Sequence, residues 1–158
     1  NRKLNTFQVG DLIATVAPIG LFFARIANFI NGELWGKVTD VPWAMVFCTQ
    51  NVIKTYGGCP AGLEPRHPSQ LYEAALEGLV LFAVMQICLR VFRLHERPGL
   101  LIAIFFTGYG AARFFVEFFR DSESMIYGWF SMGMALSLPM WAAAAFFFWY
   151  ALRKPATA

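Results

Sequence analysis

Four apolar runs dominate the chain: Leu12 to Ile30, Leu71 to Val91, Leu100 to Phe119 and Ile126 to Leu152. Each is long enough to cross a hydrocarbon core of about 30 Å, which takes roughly 20 helical residues. Inside a bilayer every backbone N–H and C=O must find its partner within the protein, and an isolated run can do so only as a helix. The expected fold is therefore all-α, a polytopic membrane helix bundle with four transmembrane helices. Composition agrees, since 58% of the residues are hydrophobic and only 15% are charged, too apolar for an ordinary soluble domain. The 158 residues read as one membrane domain, with 31–67 as a small cap outside the membrane between the first and second spans. That segment mixes Trp35, Val41, Trp43, Val46 and Phe47 with Gly57, Gly58, Pro60 and Gly62, a pattern of short strands and turns. The polar opening Asn1 to Asp11 has no cleavable signal pattern, so an internal start is expected.

Basic residues orient the spans. Arg2 and Lys3 precede the first, Arg90, Arg93 and Arg97 lie between the second and third, and Arg153 and Lys154 follow the fourth. These flanks share one side, which the positive-inside rule makes cytoplasmic. Residues 31–67 and the acidic loop Asp121 to Ser124 then face outward. The net charge of +3 follows from this topology and calls for no nucleic-acid partner.

Within the apolar runs stand two arginines. A charge at the bilayer centre costs at least about 2.5 to 3.5 kcal/mol, so such residues usually face a cavity or a partner and mark a substrate path. With a rise of about 1.5 Å per residue, Arg25 lies roughly 8 Å and Arg113 roughly 9 Å below the outer ends of their spans. Tyr72, Glu73 and Glu77 descend from the outer end of the second span to a similar level. Tyr109, Arg113 and Glu117 recur at i, i+4 and i+8 with Arg120 three residues on, forming one stripe, and Arg25 shares a face with Asn28. Guanidinium forks bind phosphate bidentately, so a set of this kind at headgroup depth suits a phospholipid. The plainer alternative is snorkelling of each arginine to the interface or a structural ion pair between helices. Packing alone does not explain several charges gathered at one level.

These residues carry a resemblance. The segment Arg25-Ile26-Ala27-Asn28-Phe29-Ile30-Asn31-Gly32-Glu33-Leu34-Trp35-Gly36 is similar to the signature of bacterial prolipoprotein diacylglyceryl transferases. Arg66-His67-Pro68-Ser69-Gln70-Leu71-Tyr72-Glu73 and Tyr109-Gly110-Ala111-Ala112-Arg113, continuing to Glu117 and Arg120, agree with the same family. Ala24 stands where the family usually has glycine, a small change on a helix. The family's earlier spans and its histidine-glycine-glycine motif are not among these residues. The chain thus resembles the C-terminal part of such an enzyme, and its partners would include the upstream part of the same enzyme.

The resemblance implies a transferase of the bacterial cytoplasmic (inner) membrane, multi-pass, with its active site towards the periplasmic leaflet and the 31–67 cap in the periplasm. It would move the diacylglyceryl group of phosphatidylglycerol to the lipobox cysteine thiol of a prolipoprotein signal peptide, making a thioether and releasing glycerol phosphate. No cofactor is implied. Arg25, Arg113, Glu33 and Tyr109 are the implied catalytic residues. Arg25, Asn28, Asn31, Gly36, Glu73, Arg113, Glu117 and Arg120 would contact the substrate among surrounding membrane lipids. Displacing a phosphate ester needs charge stabilisation on the departing phosphate, for which Arg25 and Arg113 are suited. It also needs a thiolate, which the substrate supplies. Glu117 and Glu73 are expected to hold the arginines in position. The competing class is a lipid or ion transporter, whose permeation path would also carry intramembrane polar residues; the charge-poor inner halves of the spans favour chemistry at one leaflet.

The remaining residues are assigned briefly. Cys88 reads as a small apolar residue. Cys48 and Cys59 lack a metal-ligand spacing, and a disulfide between them is open in an oxidising compartment. His67 reads as a helix-start or surface residue, and Phe146 to Tyr150 as lipid-facing and interfacial anchors. The cap could admit the signal peptide.

Overall fold

The computed structural model describes residues 5–121, 125–128 and 130–153. Arg2, Lys3 and Lys154, counted above among the inner-side charges, and residues 122–124 of the acidic loop lie outside the described residues.

Helix α1 (Thr6–Asn31) opens on a capping box, in which Asn5 accepts from the first turn and Gln8 reaches back to the Asn5 N–H. It closes on Gly32, whose φ of 67° permits the left-handed cap that returns the Gly32 and Glu33 N–H groups to the Asn28 and Phe29 carbonyls. The helix therefore begins six residues before the expected Leu12. Asp11, expected in a polar lead, is buried inside the bundle. Its carboxylate accepts from Gly99 N at 2.8 Å and Ile102 N at 2.9 Å. A side chain of α1 thus caps the N-terminus of α5 (Leu100–Val116), where the helix dipole favours a negative charge.

The second expected span is one helical rod from Ser69 to Arg90. It consists of α3 (Ser69–Glu73), a π-helical stretch (Ala74–Val80) and α4 (Leu81–Arg90). The stretch packs on α1 at Gly78, where an added Cβ would lie 2.7 Å from the Phe22 Cβ. Only the missing side chain lets the two helices approach so closely.

Two expectations at the end of the bundle next to residues 31–67 need correction. The third run was expected to stay helical to Phe119, yet α5 ends at Val116. Past that point the backbone pairs with residues 31–67: Lys37 N donates to Phe119 O at 2.9 Å, and Gly36 bridges Arg120. The fourth run was expected to start at Ile126. Instead β1 (Met125–Tyr127) pairs antiparallel with β2 (Phe130–Ser131), and Gly128 between them has φ 42°. Helix α6 (Met132–Arg153) follows, with Ser131 Oγ accepting from Met134 N. Among the described residues three helical rods, Thr6–Asn31, Ser69–Arg90 and Met132–Arg153, are long and apolar enough to cross a membrane, and α5 is a shorter apolar helix. The molecule is mostly helical and has the character of a membrane protein.

Residues 31–67 contain short bridges, Val38 and Met45 each with Arg66, as the turn-rich composition suggested. They also contain a helix the sequence did not suggest, α2 (Gln50–Tyr56), capped by Thr49 and stopped by Gly57. Cys48 and Cys59 are joined in a disulfide that closes this helix into a loop, and Cys88 is free. At the opposite end, Phe146 and Trp149 are exposed as expected. Phe147 and Tyr150 instead pack against Phe7, edge-on and tilted, with centroids 5.9 and 4.3 Å away. Successive residues are about 100° apart around a helix, so five aromatics in a row cannot all face lipid.

Candidate functional site

The expected stripe and its counterparts converge. Arg25 from α1 donates through Nε and Nη2 to Glu77 Oε2, at 3.1 and 2.9 Å, and its Nη1 lies 3.2 Å from Glu73 Oε2. Arg113 from α5 bonds Glu73 through Nη1 and pairs with Glu117 through Nη2 at 3.4 Å. Arg120, just beyond α5, reaches Glu73 Oε1 at 3.5 Å. Glu73 is the hub, a carboxylate shared by three guanidiniums from three places in the chain.

Local structure explains the convergence. In the π-helical stretch i→i+5 bonding widens the turn, so Glu73 and Glu77 lie nearly above one another and both face α1. Such stretches occur often at functional sites. Glu117 is four residues from Arg113 on the same helical face. The accessibilities then divide the cluster into layers: the carboxylate side chains are 0 to 2% exposed, whereas the arginines are 14 to 17% exposed. Carboxylates form the floor and guanidiniums the reachable face. A guanidinium has five N–H donors, and these contacts use only part of each set, so donors remain for an incoming anion. Charge on the cluster is balanced, three arginines against three glutamates, which moderates the cost of burying it.

Other expected site residues lie outside this ion-pair network. Asn31 Nδ2 donates to Glu33 Oε1 at 3.1 Å, and the Glu33 carbonyl accepts from Gln70 Nε2 at 2.6 Å. Asn31 and Glu33 thus form a separate pair where α1 ends. Asn28 serves the helix end through its carbonyl. Tyr109 makes no ion pair but lies within electrostatic reach of Arg25, Glu77 and Arg113, while stacking on Phe105 at 5.9 Å and packing on the core of Ala14, Leu81, Met85 and Leu101. Gly36, expected to let backbone approach a headgroup, has another reason to be glycine. A Cβ there would lie 2.6 Å from both the His67 and Phe119 carbonyl oxygens, so Gly36 sits where three backbone segments cross.

Three contributors were not assigned to the site from sequence. Glu77 was placed at the level of the arginines but given no role, although its i+4 spacing from Glu73 was the available signal; it is the main partner of Arg25. Arg66 donates to the Ala61 and Gly36 carbonyls and pairs with Asp121, fastening the cap beside the cluster. Gln70 is fully buried and ties α3 to the end of α1. Nearby, Tyr72 Oη accepts from Trp43 Nε1 at 2.7 Å and lies 3.1 Å from His67 Nδ1. His67 is thus bonded into the cap and is not a free surface residue. Beside the cluster, Leu76, Val80, Val84, Ile104, Gly108 and Phe115 line an apolar cavity of about 470 Å³ between the second rod and α5.

Fold and site together define a helical membrane protein in which three arginines and three glutamates from α1, the second rod and the end of α5 meet in one cluster. The family model described as prolipoprotein diacylglyceryl transferase matches residues 1–150, and the chain belongs to that family. A protein of Caulobacter sp. (strain K31) named Phosphatidylglycerol--prolipoprotein diacylglyceryl transferase is 49% identical over 98% of this chain and 52% of its own length. Proteins of the same name from Allorhizobium ampelinum and Rhodospirillum rubrum are 51% and 50% identical, over 95% and 98% of this chain and 50% and 54% of theirs. The chain spans about half the length of the curated relatives it matches.

Proposed function

We propose that this chain forms the phosphate-handling part of an enzyme that transfers the diacylglyceryl group of phosphatidylglycerol to the lipobox cysteine of a prolipoprotein. The observation that carries the reading is the convergence of Arg25, Arg113 and Arg120 on buried Glu73, with the guanidinium face accessible. The thiolate of the peptide attacks the glyceryl carbon, a C–S bond forms as the C–O bond to phosphate breaks, and glycerol phosphate leaves. Negative charge grows on the leaving phosphate oxygen, and preorganised guanidinium donors stabilise that charge more than they stabilise the ester. The thiol proton passes to a base outside the described cluster. The carboxylates of Glu73, Glu77 and Glu117 are committed to arginines and act as orienting partners. The apolar cavity beside Arg113 is suited to an acyl chain of the donor.

In this reading α5 is a fourth transmembrane helix, the protein sits in the bacterial inner membrane, and residues 31–67 with Asp121 form a periplasmic cap. The relatives named above carry transferase names, and no observation favours a transporter. The intact protein is expected to modify a lipobox peptide in phosphatidylglycerol vesicles and to leave its serine analogue untouched; equal labelling of both peptides would refute thiol attack. For topology, cysteines placed at Arg93 and Arg153 should resist an impermeant reagent applied to intact cells, whereas one at Asp121 should react. Labelling of position 93 from outside would reverse the orientation.

A further inference from the structure

Helices α5 and α6 run antiparallel, and two glycines set how closely they meet. A Cβ on Gly110 would stand 2.7 Å from Trp141 Nε1, and one on Gly133 would fall on the Glu117 carboxylate, 2.5 Å from its Cδ. Residues 110 and 117 are about two turns apart, as are 141 and 133, so both close approaches belong to one register. Gly133 is buried in the first turn of α6, where unpaired N–H groups and the helix dipole favour a nearby carboxylate. The turn is fixed from both sides, by Ser131 Oγ accepting from Met134 N at 3.3 Å and by Ser137 Oγ donating to the Gly133 carbonyl at 3.1 Å. It cannot step aside for a larger residue.

Glu117 is 4% exposed and pairs through Oε2 with Arg113. Whatever fixes its carboxylate therefore also fixes one side of the Arg113 guanidinium. We propose that Gly133 is a positioning residue for the transfer reaction: its missing side chain leaves the slot that holds the Glu117 carboxylate and so aims Arg113 at the leaving phosphate. This rests on the transferase reading above. Helix propensity alone would make Gly133→Ala favourable for α6, so a loss of function in that variant reports the contact and not the helix.

The test uses the intact protein in phosphatidylglycerol vesicles with a lipobox peptide, measuring transfer and Tm for Gly133→Ala, Glu117→Asp and the double variant. Gly133→Ala is expected to lower kcat by about tenfold or more, a coupling typical of residues in direct contact, with little change in KM. Glu117→Asp withdraws the carboxylate by one methylene, so the double variant should recover most of what Gly133→Ala loses, in both kcat and Tm. Gly20→Ala, where an added Cβ meets nothing within 4 Å, should match the unmodified protein. Unimpaired Gly133→Ala, or losses that merely add in the double variant, would overturn the proposal. An unmodified protein without transfer would sink the transferase reading instead, and the Tm of the same variants would still decide whether Gly133 makes the slot.

Discussion

Glu73→Ala is expected to cost about 3 to 5 kcal/mol of stability, the usual penalty for removing one partner from a buried ion pair. Glu73 is fully buried and meets Arg25, Arg113 and Arg120. Without it, three guanidiniums share Glu77 and Glu117 and repel one another in a weakly solvated place. The loss should be read as a lower Tm and reduced accumulation in membranes. Glu73→Gln keeps the shape but not the charge, so it should fold better than Glu73→Ala while leaving the arginines misdirected and turnover low. Glu77→Gln should be milder, since Glu77 holds Arg25 alone. A Glu73→Gln protein with unaltered Tm and rate would show that the hub does not organise the site.

Arg25→Ala and Arg113→Ala are each expected to lower transfer by about 10²- to 10³-fold, the effect of removing one donor to developing negative charge. The cluster then carries one carboxylate in excess, so an approaching phosphate meets repulsion as well as a lost contact. Lysine should rescue poorly at either position, because one ammonium cannot reproduce the forked contacts of Arg25 with Glu73 and Glu77. Both alanine variants should still insert, since the apolar rods are unchanged. Turnover near that of the unmodified protein in either variant would remove that residue from the phosphate site.

The cluster was legible in the sequence to the extent that helix geometry converts spacing into direction. Arg113 and Glu117 four apart, and Glu73 and Glu77 four apart, define faces. What could not be read depends on partners far along the chain. Asp11 looks like a polar lead until Gly99 and Ile102, some ninety positions on, present their N–H groups to it. Gly36 looks like a flexible loop glycine until the His67 and Phe119 backbones press on it. The pairing of β1 with β2 was hidden because Ile126 and Phe130 are as apolar as the helix that follows, and hydropathy does not distinguish a short strand from a helix start. Gly133 gave no signal either, since its significance lies in the carboxylate opposite.

The most direct measurement of the central claim is the single-turnover rate of Arg113→Ala at saturating phosphatidylglycerol. If the arginine stabilises charge that appears only as the C–O bond breaks, saturation will not repair the variant, and the rate will stay about 10²- to 10³-fold low. If the rate returns to that of the unmodified protein once lipid is saturating, Arg113 merely holds the substrate, and the cluster is a binding site without a part in the chemistry.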